Sequence, residues 1–327
     1  MYDIVTIGSV TRDAFFKSRD FRVREQSESK TGKEMCLDLG AKIAIPEVIF
    51  TTGGGGTNTA VSFARQGLKT ACIGRVGDDV SGNEVKKELK LEGIDDFLQI
   101  DSVHKTAYSL ILVTEEGERT ILEFRGANDY LSEKEIDWGK LKMNKTGWLF
   151  LDSLAGNKEL LTQAIKWAKE NNLKIAYNPG KTEIGFGKEL QHYLNEIDIF
   201  IVNEDEAAFV AGIKYETVKE EEIFVELDRA VKGIVVMSKG PRGVVVSDGK
   251  NCYSAGIPDS PVIDRTGAGD AFGSGFVSGY IQSNGDISYA IQLGTANATS
   301  VVQYFGAKKG LLKKGDWGNY PRVVVSS

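Results

Sequence analysis

Short runs of aliphatic and β-branched residues recur along the chain, and between them lie longer stretches in which apolar positions return every three or four residues. The runs at 4–7, 71–74, 148–151, 174–177, 199–202, 234–237 and 244–246 have the length and continuity of strands buried on both faces of a parallel sheet. The amphipathic stretches predict helices at about 57–66, 82–91, 158–171, 204–210 and 218–231. Ser81-Gly82-Asn83-Glu84 has capping-box spacing and marks the start of the second helix. Strand and helix units in alternation predict an α/β fold, a doubly wound and mostly parallel sheet flanked by helices. Ligands are then expected at the carboxyl ends of the strands.

Two stretches interrupt this alternation. Residues 15–52 begin polar and charged and end in Ile43-Ala44-Ile45-Pro46-Glu47-Val48-Ile49-Phe50, an extended pattern whose proline suits a sheet edge. Residues 106–126 contain two β-rich runs, 108–113 and 119–124, joined across Glu115-Glu116-Gly117-Glu118 as a hairpin. Together they predict a small β lid over one end of a single domain spanning 1–327. The other arrangement they allow is an antiparallel extension of the main sheet.

Composition narrows the field. The 40 basic and 46 acidic residues leave a formal net charge of −6, which gives no general attraction to a phosphate backbone, so nucleic acid is not expected as a partner. No apolar run approaches the roughly 18 residues of a membrane span, and nothing near the start has the pattern of a secretory signal, so a soluble cytoplasmic protein is expected. Cys36, Cys72 and Cys252 form no C-x-x-C pair and fit reduced thiols. The two histidines, His104 and His192, have no cysteine or second histidine beside them and suit polar surface positions. Glycine stands out, with 37 residues against 6 prolines, and its placement carries the chemistry.

The first cluster, Gly53-Gly54-Gly55-Gly56-Thr57-Asn58, falls between an extended run and a helix start. Adjacent glycines suit a backbone that needs positive φ or must come close to a ligand, and Asn58 can direct an amide at a polar substrate. The second cluster is Asp264-Arg265-Thr266-Gly267-Ala268-Gly269-Asp270. Gly267, Ala268 and Gly269 carry almost no side chain, so their amides can meet an anion at a helix N-terminus. Asp270, in the first turn, is placed to take a proton from a substrate hydroxyl while the same amides hold a transferring phosphoryl group, although an aspartate there also caps helices. Ala271, Ser274, Gly275 and Ser278 share one face and predict close packing of this helix on the sheet. Gly180-Lys181-Thr182 ends like a P-loop, but Ile175 stands where the earlier glycine is required, and no complete G-x-G-x-x-G occurs. Mononucleotide P-loop and dinucleotide readings therefore weaken, and phosphoryl transfer to a hydroxyl remains.

The two clusters, in this order, resemble the two signatures of the ribokinase-like (PfkB) carbohydrate kinases. Further segments extend the resemblance over the whole chain: Gly8-Ser9-Val10-Thr11-Arg12-Asp13, Asn203-Glu204-Asp205-Glu206, Ser238-Lys239-Gly240-Pro241-Arg242-Gly243, and Ala296-Asn297-Ala298 followed by Gly306-Ala307. The resemblance implies ATP-dependent phosphorylation of a primary hydroxyl, with Asp270 as general base and the 267–269 amides as anion hole. It implies sugar contacts from Thr11, Asp13, Gly54, Gly55 and Asn58. For the nucleotide it implies contacts from Ser238, Lys239, Gly240, Gly243, Gly269 and Asn297. Asn203 and Glu206, three residues apart, would hold magnesium through water, although the same pair is also a common helix cap. A monovalent cation such as K+ would be bound by Asp264 and Thr266 with the carbonyls of Val301, Tyr304 and Gly306.

Arg265 departs from the small residue or proline usual at its place, and either faces a phosphate or points to solvent. Residues 17–42 are longer and more charged than a short lid needs, with Arg19, Arg22, Arg24, Lys30 and Lys33. Arg125 is a candidate for an anionic group on the acceptor, or for a lid salt bridge. The acceptors expected are ribose, fructose or a 2-keto-3-deoxy sugar acid. A nucleoside is the second reading, with Phe15, Phe16 and Phe124 as a base clamp, and a catalytically silent sugar or nucleotide binder the third. The apolar stretch 43–50 can serve as a homodimer face through the lid.

Overall fold

The computed structural model describes residues 1–29, 32–115, 117–213, 220–319 and 321–326. Lys30, Glu116 at the hairpin tip and Val218 at an expected helix start lie outside the described residues. In chain order the first part holds β1 (Tyr2–Ile7), β2 (Thr11–Lys17), β3 (Arg22–Glu25), β4 (Lys33–Cys36), β5 (Glu47–Gly53), α1 (Gly55–Arg65), β6 (Thr70–Ile73), β7 (Arg75–Gly77), α2 (Val80–Leu91), β8 (Asp95–Asp96), β9 (Gln99–Asp101), β10 (Ala107–Val113) and β11 (Arg119–Phe124). The second part holds β12 (Met143–Leu151), α3 (Lys158–Glu170), β13 (Lys174–Tyr177), α4 (Lys181–Ile184), α5 (Gln191–Leu194), β14 (Ile199–Asn203), α6 (Glu204–Ala211), α7 (Glu220–Ala230), β15 (Ile234–Ser238), β16 (Val244–Ser247), β17 (Cys252–Ala255), α8 (Ala268–Gln282), α9 (Ile287–Val301) and β18 (Val325–Ser326).

The main sheet runs in the order β18-β17-β16-β15-β14-β13-β12-β1-β6-β8. Pairing is parallel from β15 through to β8. β1 lies inside this parallel part because its side chains alternate between two buried layers. Val5 and Ile7 enter the core shared with α3, α6 and α7, while Ile4 enters the core shared with Phe63 of α1, Phe272 and Phe276 of α8, and α9. The run at 244–246, expected to be parallel, pairs antiparallel with β15. Its physical cause is the connection: Lys239–Gly243 closes a tight turn, with the Lys239 N–H donating to Gly243 O at 2.8 Å, whereas a parallel return needs a crossover of about a dozen residues.

The interrupting segments form a separate four-stranded sheet, β11-β10-β2-β5, which fits the expected lid rather than an extension of the main sheet. β2 begins at Thr11, earlier than the expected lid boundary, so Asp13 is carried on the lid itself. On its inner face Phe15, Ile111 and Val113 pack with Ile49 and Phe305, and on its outer face Val48, Phe50, Leu122 and Phe124 are exposed.

Two local expectations change. Asp79, not Ser81, caps α2, its carboxylate accepting the Gly82 N–H at 2.9 Å. The small residues of α8 serve helix contact rather than sheet contact: a Cβ on Gly275 would come within 2.9 Å of the Gly294 Cα of α9, and one on Gly279 within 2.8 Å of the Ala290 Cα. Phe272 and Phe276 are the side chains α8 sends to the core on the sheet. Among the described residues no helix is long and apolar enough to cross a membrane.

Candidate active site

Asp270, in the first turn of α8, keeps a partly exposed surface. Its Oδ2 accepts a hydrogen bond of 2.7 Å from the Asn58 Nδ2 of α1. The other end of that amide, Asn58 Oδ1, is buried without a partner among the described residues. Burial raises the Asp270 carboxyl above the usual carboxylate range, and the Asn58 bond and the charge of Lys308 partly offset this.

Two further carboxylates are buried around it. Asp13 lies on the inner face of the lid, its Oδ1 accepting from Thr11 Oγ1 at 2.9 Å, so Thr11 orients Asp13. Burial raises the Asp13 carboxyl as well. Asp152 follows β12 directly, its N–H bonded to Ile7 O at 2.8 Å, which fixes it beside the end of β1. Its carboxyl is pushed well up, by burial first and then by the nearby Asp270 charge. Asp152 was not anticipated from the sequence. The signal was there: it stands directly after the Trp148–Leu151 run, at the carboxyl end of a predicted strand. Lys308, whose positive charge acts on both Asp13 and Asp270, was also missed. It is buried, with its ammonium bonded to Thr52 Oγ1 at 2.6 Å and Glu88 Oε2 at 2.7 Å, and nothing local in the sequence marks it.

The first glycine cluster is filled by the protein's own atoms. Gly54 has φ 86°, and a Cβ there would overlap the Ser9 carbonyl. A Cβ on Gly55 would overlap the Asp152 carboxylate, and one on Gly53 that of Asp13. The Gly55 and Gly56 amides donate to Ser9 Oγ and Ser9 O, each at 3.0 Å. The cluster therefore lets two carboxylates approach the backbone. The Gly55 amide, expected to meet substrate, is committed to Ser9 instead.

The second cluster is open. Gly267, at φ 75°, turns the chain into α8, and a Cβ there would overlap Ala307. A Cβ on Gly269 would meet nothing within 4 Å. Of the three expected anion-hole amides, that of Ala268 donates to Arg265 O at 3.2 Å, whereas those of Gly267 and Gly269 have no partner among the described residues. In front of them lies a cleft of about 630 Å³ lined by Ser238, Gly240, Gly243, Arg265, Ala268, Gly269, Thr295, Ala298 and Thr299. The 238–243 turn and the residues expected to form the anion hole thus share one cavity. Exposed Arg265 lines this cleft rather than facing away from it. Lys239 sits in the same turn.

Asn297 does not face the cleft. It is fully buried, donating to Ala271 O at 2.7 Å and Ser62 Oγ at 3.1 Å and accepting from the Leu312 N–H at 2.9 Å, so it ties α1, α8 and the C-terminal segment together. α9 presents Thr295, Ala298 and Thr299 to the cavity instead. Asn203 and Glu206 form a complete capping box on α6: the Glu206 N–H donates to Asn203 Oδ1 at 3.0 Å, and the Asn203 N–H to Glu206 Oε2 at 2.9 Å. Burial raises the Glu206 carboxyl. Among the described residues no group of three acids, histidines or cysteines is gathered as a metal centre.

Of the groups expected around a monovalent cation, the Asp264 carboxylate, the Thr266 hydroxyl and the Val301 carbonyl are already bonded. Asp264 Oδ1 accepts from Thr266 N–H at 3.0 Å, Thr266 Oγ1 at 2.7 Å and the Arg119 guanidinium, and Oδ2 accepts from Gly306 N–H at 3.0 Å. The carbonyl of Val301 accepts from Tyr304 N–H at 3.1 Å. This set does not fit a bare cation, because a guanidinium already holds the carboxylate. Arg125 is paired on the surface with Asp129 of the following turn, Nε 2.7 Å from Oδ1, and its Nη1 lies 3.4 Å from Thr182 Oγ1. Phe15 is spent on the lid core, its ring 5.9 Å from that of Phe305. His104 stacks on Tyr130 at 3.6 Å beside Asp101, away from these groups.

Residues 1–314 match the model of the pfkB family carbohydrate kinases. The chain is 33% identical over 269 residues to a ribokinase of Haemophilus influenzae, covering 79% of this chain and 83% of that one. Its fold superposes on the ribokinase of Giardia lamblia with a TM-score of 0.78 at 21% identity, covering 96% of this chain and 98% of the other. It superposes on the adenosine kinase of Sinorhizobium meliloti with a TM-score of 0.77 at 23% identity, covering 95% and 97%. At these identities the two structures speak for the fold alone.

Proposed function

The chain belongs to the pfkB family of carbohydrate kinases, phosphotransferases acting on alcohol acceptors, and on that premise we propose that it transfers the γ-phosphoryl group of ATP to a primary hydroxyl of a neutral sugar. The single observation that carries this reading is the pairing of a hydrogen-bonded carboxylate with an open site on one helical turn. Asp270, held by Asn58 at 2.7 Å, stands next to Gly269, in front of which there is open space. In the proposed mechanism Asp270 takes the proton of the attacking hydroxyl, while the Gly267 and Gly269 amides carry the charge on the transferring group. The cleft under the Ser238–Gly243 turn takes the rest of the nucleotide, with Arg265 at its wall.

The acceptor follows from charge. Asp13 and Asp152 are hydroxyl acceptors that match a polyol, and with Asp270 they give the pocket three carboxylates. An anionic acceptor would meet like charge there, only partly offset by Lys308, which is itself paired with Glu88. The cation proposed from the sequence to greet it, Arg125, is paired with Asp129. Ribose- or fructose-type sugars are therefore preferred to sugar acids, and the use of Phe15 in the lid core weakens a nucleoside clamp.

Magnesium would be held at Glu206, one of three acids with Glu204 and Asp205 in the first turn of α6, because the ion keeps most of its waters and needs few protein oxygens. When bound, the ion would neutralise phosphate charge. The lid sheet is proposed to close over the sugar, since Asp13 rides on it, and its exposed outer face with Phe50, Leu122 and Phe124 suits pairing with a second copy. The test is ADP release from ATP and Mg2+ against neutral pentoses and hexoses, sugar acids, sugar phosphates and nucleosides. The expected result is an ADP signal dependent on one neutral sugar. A signal only with sugar acids or sugar phosphates would overturn the acceptor assignment, and none with any acceptor would overturn the kinase itself.

A further inference from the structure

The carboxylate of Asp264 is almost sealed, at 3% side-chain exposure, and a buried carboxylate requires a compensating positive charge. That charge comes from an unexpected place. Arg119 is the first residue of β11, on the inner face of the lid sheet, and it reaches across 145 residues of sequence to Asp264 Oδ1. The remaining positions on the carboxylate are filled by Thr266 and by the Gly306 N–H. Thr266 immediately precedes Gly267, whose φ of 75° sets the anion-hole amides, so whatever holds Asp264 also holds the turn into α8.

We propose that the Arg119 guanidinium replaces the monovalent cation at Asp264, so that the enzyme works without potassium and its anion hole is set by the lid. The proposal rests on the phosphotransferase reading above. Arg119 touches neither substrate nor phosphate and acts only through Asp264, as a positioning residue. Its position on the lid has a consequence that a free ion would not have: movement of the lid away from the body removes the counter-charge from Asp264. The same movement carries off Asp13, which lies on the same face of the sheet.

The experiment compares potassium, sodium and N-methyl-D-glucamine chlorides at one ionic strength, reading both ADP formation and the midpoint of thermal unfolding. The wild-type rate is expected to agree within about twofold across the three salts, with equal midpoints, because no ion-specific charge is missing. Arg119→Met is expected to lose about tenfold or more in N-methyl-D-glucamine and to recover most of it in potassium, together with a potassium-specific rise in its midpoint. Arg119→Gln, which keeps a polar side chain without the charge, serves where the Met variant does not fold. A wild-type rate or midpoint that rises specifically with potassium overturns the proposal. So does a folded variant that gains no potassium response in either reading. Absence of ADP from every acceptor in every salt defeats the kinase reading instead, and the midpoints, which need no turnover, still decide the role of Arg119.

Discussion

The two glycine clusters look alike in the sequence, each a run of small residues at the start of a helix, and the structure uses them for opposite ends. Around Gly53–Gly56 the missing side chains make room for the protein's own groups: the Ser9 carbonyl and the carboxylates of Asp13 and Asp152 occupy the space a Cβ would need. Around Gly269 the space is empty, and the Gly267 and Gly269 amides have no partner among the described residues. The first cluster is a packing device that brings charge into the pocket, and the second is proposed as the place that receives the charge of the transferring group. Substitution in one should therefore be felt in stability, and in the other in turnover.

The largest effect expected on the receptor side is Asp270→Asn, which should cut turnover by about 10²-fold or more while ATP binding, followed by calorimetry, stays near normal. Equal turnover would remove Asp270 from the chemistry. Next, Gly269→Val should cost on the order of 10²-fold in turnover with little change in the thermal midpoint, because its side chain enters open space meant for an anion. A large fall in the midpoint with activity retained would reverse the comparison. On the packing side, Gly54→Ala should destabilise by about 1–3 kcal/mol, from positive φ together with the Ser9 overlap, read as a lower denaturation midpoint. An unchanged midpoint would show that the first cluster is not a packing device.

The smallest effect is a gain. The carboxyl of Asp152 is raised in the folded protein, so folding binds protons there, and this ionised group costs stability above its folded value. Asp152→Asn should then stabilise at neutral pH by on the order of 1 kcal/mol while weakening sugar binding. The stabilisation should shrink as pH falls through the raised value and the wild-type carboxyl takes up its proton. A destabilised variant at neutral pH would mean that Asp152 is held by a favourable contact rather than tolerated for function.

Much of this was legible in the chain. Periodicity located the parallel strands because they are buried on both faces, and the hairpin of β10 and β11 was bounded almost to the residue by alternation and turn chemistry. Local pattern could not give what depends on partners distant in sequence. The Arg119 pairing with Asp264 spans 145 residues, and Asn297 reads as a ligand contact until its bonds to Ala271, Ser62 and Leu312 are seen. Asp152 was within reach, since a strand end is where ligand groups are expected, but a single aspartate after an apolar run carries no motif. The direction of β16 turned on the length of one connection.

The central claim, Asp270 acting as base toward a neutral sugar, is tested most directly by the pH profile of kcat/KM for sugar-dependent ADP formation. Because burial raises the Asp270 carboxyl, activity should fall toward acid with a midpoint above the ordinary carboxylate value of about 4, and this limb should vanish from the residual activity of Asp270→Asn. A wild-type profile without an acid limb, or a limb that persists unchanged in the variant, would contradict the assignment.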